Sequence, residues 1–198
     1  MRLLIIADIH DALDKVKALR SVDRDAALVA GDFTYSWSAE SAKRALEELA
    51  AGSPVFYVAG NMDPDISSLA VEGARYIHGI VAELGEYKLA GLSYIDDGGA
   101  AEALRRYAGA RPLIVLSHAP PKGVLDKTFA GTHIGSRALR DFAEREAPML
   151  IASGHVHEAR GVERLGKTVV VNAGPLMRGY YALAKLRGWE VEVEIKRI

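Results

Sequence analysis

His155 and His157 lie two residues apart in Ser153-Gly154-His155-Val156-His157, after the apolar run Pro148-Met149-Leu150-Ile151-Ala152. An apolar run ending in small and polar residues predicts a buried strand emptying into a loop. Gly154 is expected to turn the chain sharply there. A bend lets both imidazoles face one cleft, and neutral imidazole is the commonest protein ligand for transition metals. Taken alone, the pair is more simply two ordinary loop histidines.

The arrangement recurs, however. Asp8 and His10 follow the apolar run 3–7, Asp32 follows 26–30, Asn61 follows 55–59, and His118 follows 113–116. Each has a plain structural explanation. Asp8-x-His10 could be a turn or helix cap, Gly31-Asp32 an Asx cap, Gly60-Asn61 a tight turn, and His118 a core histidine. Those explanations must all hold together, always at a strand end. In sheets with helical crossovers, ligands gather at the carboxyl ends of the strands. Two carboxylates, one amide and four imidazoles are therefore expected in one pocket, and they account for four of the six histidines.

The elements that must position them follow from periodicity. The five apolar runs read as strands covered on both faces. Between them, Leu13, Val16 and Leu19 carry helical spacing, as do Ala42, Ala45, Leu46 and Leu49 behind an N-cap at Ser38. A third helix is expected over 101–108 after a loop at 96–99, and a fourth from Ser136 with Leu139, Phe142 and Ala143 inward. Asp63-Pro64 predicts the N-cap and first turn of a short helix. Residues 76–81 and 87–93 carry strand-like residues split by 83–86, which suggests a hairpin or two short strands. His78 there reads as structural. After the His-x-His loop, 160–164 and 168–171 read as strands. The C-terminal segments 180–186 and 190–196 pair across Arg187-Gly188-Trp189.

Composition narrows the function. At 198 residues, 49% of them hydrophobic, the chain reads as one domain spanning 1–198 with a full core. A net charge of −1 without blocks of like charge argues against nucleic acid held by phosphate neutralisation, though not against a small anionic substrate. With no cysteine, any metal must take N and O ligands. No apolar run approaches transmembrane length or a secretory core, so a soluble cytoplasmic protein is expected, its oligomeric state left open.

The ordered set Asp-x-His, Gly-Asp, Gly-Asn-x-Asp, His-x-Pro, Gly-His-x-His, over residues 8 to 157, resembles the calcineurin-like metallophosphoesterase superfamily. Chain length makes it similar to the small prokaryotic phosphoesterases of that group. The resemblance implies an α/β fold, a four-layer αββα sandwich of two mixed β-sheets flanked by helices. It also implies two divalent transition-metal ions (Mn, Fe, Zn, Ni or Co). Asp8, His10 and His157 would bind the first, Asn61, His118 and His155 the second, and Asp32 would bridge both. The implied activity is hydrolysis of a small phosphoester by attack of a metal-bridging hydroxide, with Asp32, Asn61 and His118 catalytic.

One position departs from the pattern. Many members carry Gly-Asn-His-(Asp/Glu), whose His is the proposed general acid; here it is Met62. A thioether donates no proton, and general acid catalysis is worth ~10²–10⁴-fold. Phosphodiesters with good leaving groups are therefore the expected substrates. Met62 and Tyr35 offer apolar walls for an aromatic leaving group, and His133, in Gly131-Thr132-His133-Ile134-Gly135, is a further substrate-contact candidate. The competing readings are a nuclease, against which the near-neutral charge counts, and a non-catalytic scaffold of the same fold, as in a retromer subunit of the superfamily.

Overall fold

Successive residues of a strand point to opposite faces of its sheet, so an unbroken apolar run must bury two surfaces. In the computed structural model, which describes residues 1–198, this produces layers. The first strands are β1 (Arg2–Ile6), β2 (Ala26–Val29), β3 (Val55–Tyr57), β4 (Ala74–Tyr76), β5 (Val81–Leu84) and β6 (Tyr87–Leu92). They are followed by β7 (Leu113–Ser117), β8 (Leu150–Ser153), β9 (Gly161–Leu165), β10 (Thr168–Asn172), β11 (Tyr180–Arg187) and β12 (Glu190–Arg197). The helices are α1 (Leu13–Ala18), α2 (Ala39–Ala50), α3 (Asp97–Arg105) and α4 (Arg137–Glu146).

Two six-stranded sheets form, ordered β12-β11-β1-β2-β3-β4 and β5-β6-β7-β8-β10-β9. Both are mixed: β1 to β4 run parallel, as do β6, β7, β8 and β10, while β11, β12, β5 and β9 add antiparallel edges. Leu3 and Ile5 of β1 face Leu116, Leu150 and Ala152 of the opposing sheet in the central core. Leu4 and Ile6 face Val16 of α1 and Leu46 and Leu49 of α2. On the far side, Leu113, Val115 and Ile151 pack beneath Leu104 of α3 and Leu139 and Phe142 of α4. The fold is the expected αββα sandwich.

Local signals set several boundaries. Ser38 and Ser136 cap α2 and α4 as anticipated, accepting from the N–H groups of Ser41 and Leu139. The stretch from 72 to 105 differs from expectation. Strand β4 ends at Tyr76 in the first sheet, the chain crosses over, and the hairpin β5–β6 lies in the second. Helix α3 begins at Asp97, inside the presumed loop, because the Asp96 carboxylate accepts from the N–H groups of Gly98 and Gly99. Capping there outweighs the poor helix propensity of the two glycines. The short helix expected after Asp63 does not form, since that carboxylate is engaged in another loop, described below.

Candidate metal centre

Strands β1, β2, β3, β7 and β8 end on one rim, where their loops are stitched together. Asp8 N–H donates to Gly31 C=O at 3.0 Å, His10 N–H to Asp32 C=O at 3.1 Å, and Gly154 N–H to His118 C=O at 3.0 Å. The last of these joins β7 and β8 within one sheet; His118 Nδ1 then crosses to the other, reaching the Ala30 carbonyl at 2.6 Å.

That contact fixes chemistry. A carbonyl only accepts, so Nδ1 carries the proton and a neutral His118 turns the Nε2 lone pair outward. Around this nitrogen lie Asn61 Oδ1 at 3.0 Å, His155 Nδ1 at 3.1 Å and Asp32 Oδ1 at 3.6 Å. On the other side, His10 Nε2 lies 3.3 Å from His157 Nε2 and 3.9 Å from Asp32 Oδ2, and His157 Nε2 lies 3.6 Å from Asp8 Oδ1. All seven residues predicted as metal ligands are thus brought together. Donor atoms of Asp8, His10 and His157 lie within 4.8 Å of one another, and so do those of Asp8, Asp32 and His118. Lone pairs converging in a buried site repel unless a cation or protons intervene, so this donor set fits a metal ion.

Electrostatics agree. Burial, helped by the adjacent His118, pushes the His155 imidazole down to about 4, so it is neutral with a lone pair available at physiological pH. Burial raises the Asp8 carboxyl, but its pairing with His157 and the surrounding imidazoles outweigh this and hold it below its ordinary value. The same pairing raises His157. Burial lowers His10, against the pull of Asp8 and Asp32.

Four of the seven adopt left-handed backbone: Asp8 (φ 52°), His10 (45°), Asp32 (54°) and His155 (70°). The sharp turn assigned to Gly154 is therefore taken by His155. Gly154 is small for another reason: a Cβ there would overlap the Ala7 methyl and stand 2.8 Å from Asp8 Oδ2.

A sequence model of calcineurin-like phosphoesterases matches residues 1–159, which include every residue of this cluster. The chain belongs to that family. Metal-dependent hydrolysis of phosphoric esters comes with the membership. An uncharacterised protein of Methanocaldococcus jannaschii is 24% identical to this phosphoesterase over 205 residues, 88% of each chain. Among solved structures, TT1561 of Thermus thermophilus superimposes with a TM-score of 0.77 at 18% identity, covering 98% of this chain and 97% of that one. A purple acid phosphatase from yellow lupin seeds gives 0.64 at 12% identity; all of this chain aligns, to 51% of that one. These structural likenesses are of fold.

The substrate-pocket candidates divide. Tyr35 lies on this cluster, its ring stacked on His10 at 3.8 Å and 8°. Met62 adjoins it, donating its N–H to Asp32 Oδ1 at 2.8 Å. His133 stands apart: its Nδ1 is held by Asp126 Oδ1 at 2.6 Å, beside a cavity of about 370 Å³ lined by Lys127, Arg160 and Glu163. His78 is structural as read, accepting the Ser93 N–H.

Sequence reasoning missed three contributors. Asp63, read as a helix cap, accepts the backbone N–H groups of Asp32 and Gly60 on Oδ2, each at 2.8 Å, and that of Phe33 on Oδ1 at 2.7 Å. Burial raises it to about 6, with those amides opposing and the Asp32 charge reinforcing. Tyr94, just past β6, sets its ring against His118 and His155. Met177, beyond the matched span, donates its N–H to Asp8 C=O and takes the Tyr35 hydroxyl on its sulfur. Asp63 had a visible signal in Asn-x-Asp; Tyr94 had one as a further strand end; Met177 had none.

Proposed function

We propose that this phosphoesterase holds two divalent transition-metal ions and hydrolyses a small phosphodiester bearing a good leaving group. In this reading Asp8, His10 and His157 take one ion, Asn61, His118 and His155 take the other, and Asp32 serves both. The observation that carries it is the division of one carboxylate. Asp32 Oδ2 faces His10 Nε2 at 3.9 Å while Oδ1 faces His118 Nε2 at 3.6 Å. Two oxygens turned towards two nitrogen nests suit ions about 3.5–4 Å apart, the spacing of two-metal hydrolases. Imidazole with carboxylate and amide oxygen suits Mn, Fe, Zn, Ni or Co better than calcium.

Bound there, the ions would supply Lewis acidity and a water activated at neutral pH. The chain prepares for this through its own residues. Ala30 fixes the tautomer of His118, burial keeps His155 neutral, and Asn61 adds an oxygen without charge. Asp8 and Asp32 alone then oppose two divalent ions, which leaves the cleft positive and attractive to an anionic phosphoester. Met62 places a thioether where a proton donor would assist the leaving oxygen, so substrates whose leaving group departs unprotonated are favoured.

The test is hydrolysis of paired aryl phosphodiester and phosphomonoester substrates by metal-stripped protein, titrated with Mn, Ni, Zn and Mg. Diester turnover that rises with metal to two equivalents, and is lost in His118→Ala, is expected. Protein that binds two ions yet turns over neither substrate would refute hydrolysis and favour a scaffold. A monoester preference would overturn the diester assignment alone.

A further inference from the structure

Two tyrosines flank the centre, one on each side of Asp32. Tyr35 lies flat on His10, on the Oδ2 side, with its hydroxyl donated to Met177 Sδ at 3.4 Å. One face of this ring is taken, yet the residue remains 49% exposed, which leaves the other face open to solvent. Tyr94 belongs to the Oδ1 side. Its ring centroid is 5.0 Å from His155 and 5.8 Å from His118, and its backbone is pinned by the N–H bond to Ala59 C=O at 2.9 Å. It too remains 45% exposed. Each ring is thus anchored on one side by a buried imidazole and a backbone or thioether contact, and bare on the other.

We propose that the bare faces of Tyr35 and Tyr94 are two separate stacking platforms for the two flat ester arms, aryl or nucleoside, of a phosphodiester substrate. The proposal rests on the reading of the centre as a phosphodiesterase site and deepens it. A phosphodiester carries two organic substituents that diverge from phosphorus, whereas a monoester carries one. A centre spanned by the two oxygens of Asp32, with an anchored aromatic ring beside each, offers one surface per arm. A flat π-face on a tyrosine adds about 0.5–1.5 kcal/mol beyond area burial, or roughly 2- to 12-fold in affinity per ring. Saturated arms of similar size gain the burial without the stacking, so shape and π-character separate in experiment.

The experiment uses diphenyl phosphate and dicyclohexyl phosphate as binding probes, since phenoxide and alkoxide leave far less readily than the nitrophenoxide of the turnover substrate, bis(p-nitrophenyl) phosphate. Their affinities for metal-loaded protein are measured by calorimetry, alongside turnover of an aryl diester. The expected result is tighter binding of the diphenyl ester. That preference falls about 3- to 10-fold in Tyr94→Ala, falls again in Tyr35→Leu, and is retained in Tyr94→Phe and Tyr35→Phe. Because Tyr35 covers His10 face-on while Tyr94 meets His118 and His155 only edge-on or tilted, Tyr94→Ala is the decisive variant, and metal stoichiometry is checked in each. A phenyl preference that is absent in the parent, or unchanged in Tyr94→Ala, overturns the proposal. Aryl-diester turnover reports independently on hydrolysis, so platforms without catalysis and catalysis without platforms give different results.

Discussion

Asp63→Asn is the substitution that best separates a positioning carboxylate from a helix cap. The parent side chain accepts three backbone N–H groups, those of Asp32 and Gly60 on one oxygen and that of Phe33 on the other. An amide must present NH₂ on one side. Its least costly orientation turns NH₂ to the Phe33 N–H and strands that buried donor, at about 1–3 kcal/mol. The two bonds kept lose charge assistance, worth about 1 kcal/mol together. A loss of about 1–3 kcal/mol follows, because removing a charge that burial disfavours offsets the lost charge assistance, and a domain stable by about 5–15 kcal/mol survives it. For a chain of this length each kcal/mol moves the Tm by roughly 2–4 °C, so a fall of roughly 2–12 °C is expected. Thermal unfolding should be run on metal-stripped protein at pH 8, where Asp63, at about 6, is ionised. Asp65→Asn is the control, since that exposed carboxylate accepts only from Ser67. With the bond to the Asp32 N–H weakened and the adjacent Phe33 amide displaced, affinity for Mn or Zn should drop about 10- to 100-fold, as when other partners of metal ligands are removed. A Tm change under about 2 °C with unchanged metal affinity would refute the positioning role.

Other substitutions probe other parts of the structure. Gly154→Ala drives a methyl into Ala7 and towards Asp8 Oδ2; calorimetry should show metal affinity reduced at least about 10-fold, with stability lower by about 1–3 kcal/mol from overpacking. Arg24, buried without a carboxylate partner, donates to the carbonyls of Leu19, Val22 and Leu49 and to Ser53 Oγ, tying the ends of α1 and α2. Arg24→Ala should cost about 2–4 kcal/mol in denaturant unfolding and Arg24→Lys more than half of that, because a single ammonium cannot reach all four acceptors. Asp126, buried, accepts from the N–H groups of Gly123 and Gly135 and from His133, and these donors outweigh burial to hold its carboxyl below the ordinary value. A carboxyl lowered on folding stabilises above its unfolded value of about 4, and that contribution is lost as pH falls through the native one. Acid unfolding of the parent should therefore show a loss below about pH 4 that Asp126→Asn lacks, and identical acid limbs would overturn the assignment.

The strands and helices of this fold were legible because each rests on local pattern, unbroken apolar runs for strands with two covered faces and Ser38 and Ser136 for helix starts, whereas their stacking into four layers was implied by the family resemblance. The seven-residue cluster was legible because parallel strands deliver their carboxyl ends to one rim, so that order along the chain becomes proximity in space. Contributions that depend on pairing between distant segments were not. Asp63 reads as a cap from Asp-Pro, yet the adjacency of β2 and β3 brings the amides of Asp32 and Phe33 to its carboxylate beside that of Gly60, and these consume the oxygens a helix would use. Helix α3 was misplaced because Gly98-Gly99 reads as loop, while the side chain of Asp96 captures both of their amides. Tyr94 was passed over for another reason. The segment 87–93 before it was read as strand-like, but the residues directly at its end carry no carboxylate, amide or imidazole to mark a ligand position.

The backbone strain explains why these anchors exist. Asp8, His10, Asp32 and His155 each hold a left-handed conformation that costs a non-glycine residue on the order of 1–2 kcal/mol. Such residues persist only where surrounding bonds over-determine them. Here each strained residue has its own N–H captured beside another candidate ligand. Asp8 donates to Gly31, His10 to Asp32, Asp32 to Asp63, and His155 to the Asp8 carboxylate. Four strand ends, those of β1, β2, β3 and β8, therefore hold one another in place without an ion. The consequence is coupling. Weakening the hold on Asp32 and displacing Phe33 at Asp63 loosens the carbonyl that holds His10, and crowding Asp8 through Gly154 disturbs the acceptor of His155. The losses from Asp63→Asn and Gly154→Ala in metal affinity should thus fail to add, by about 0.5 kcal/mol or more in a double-mutant cycle, as for residues of one network.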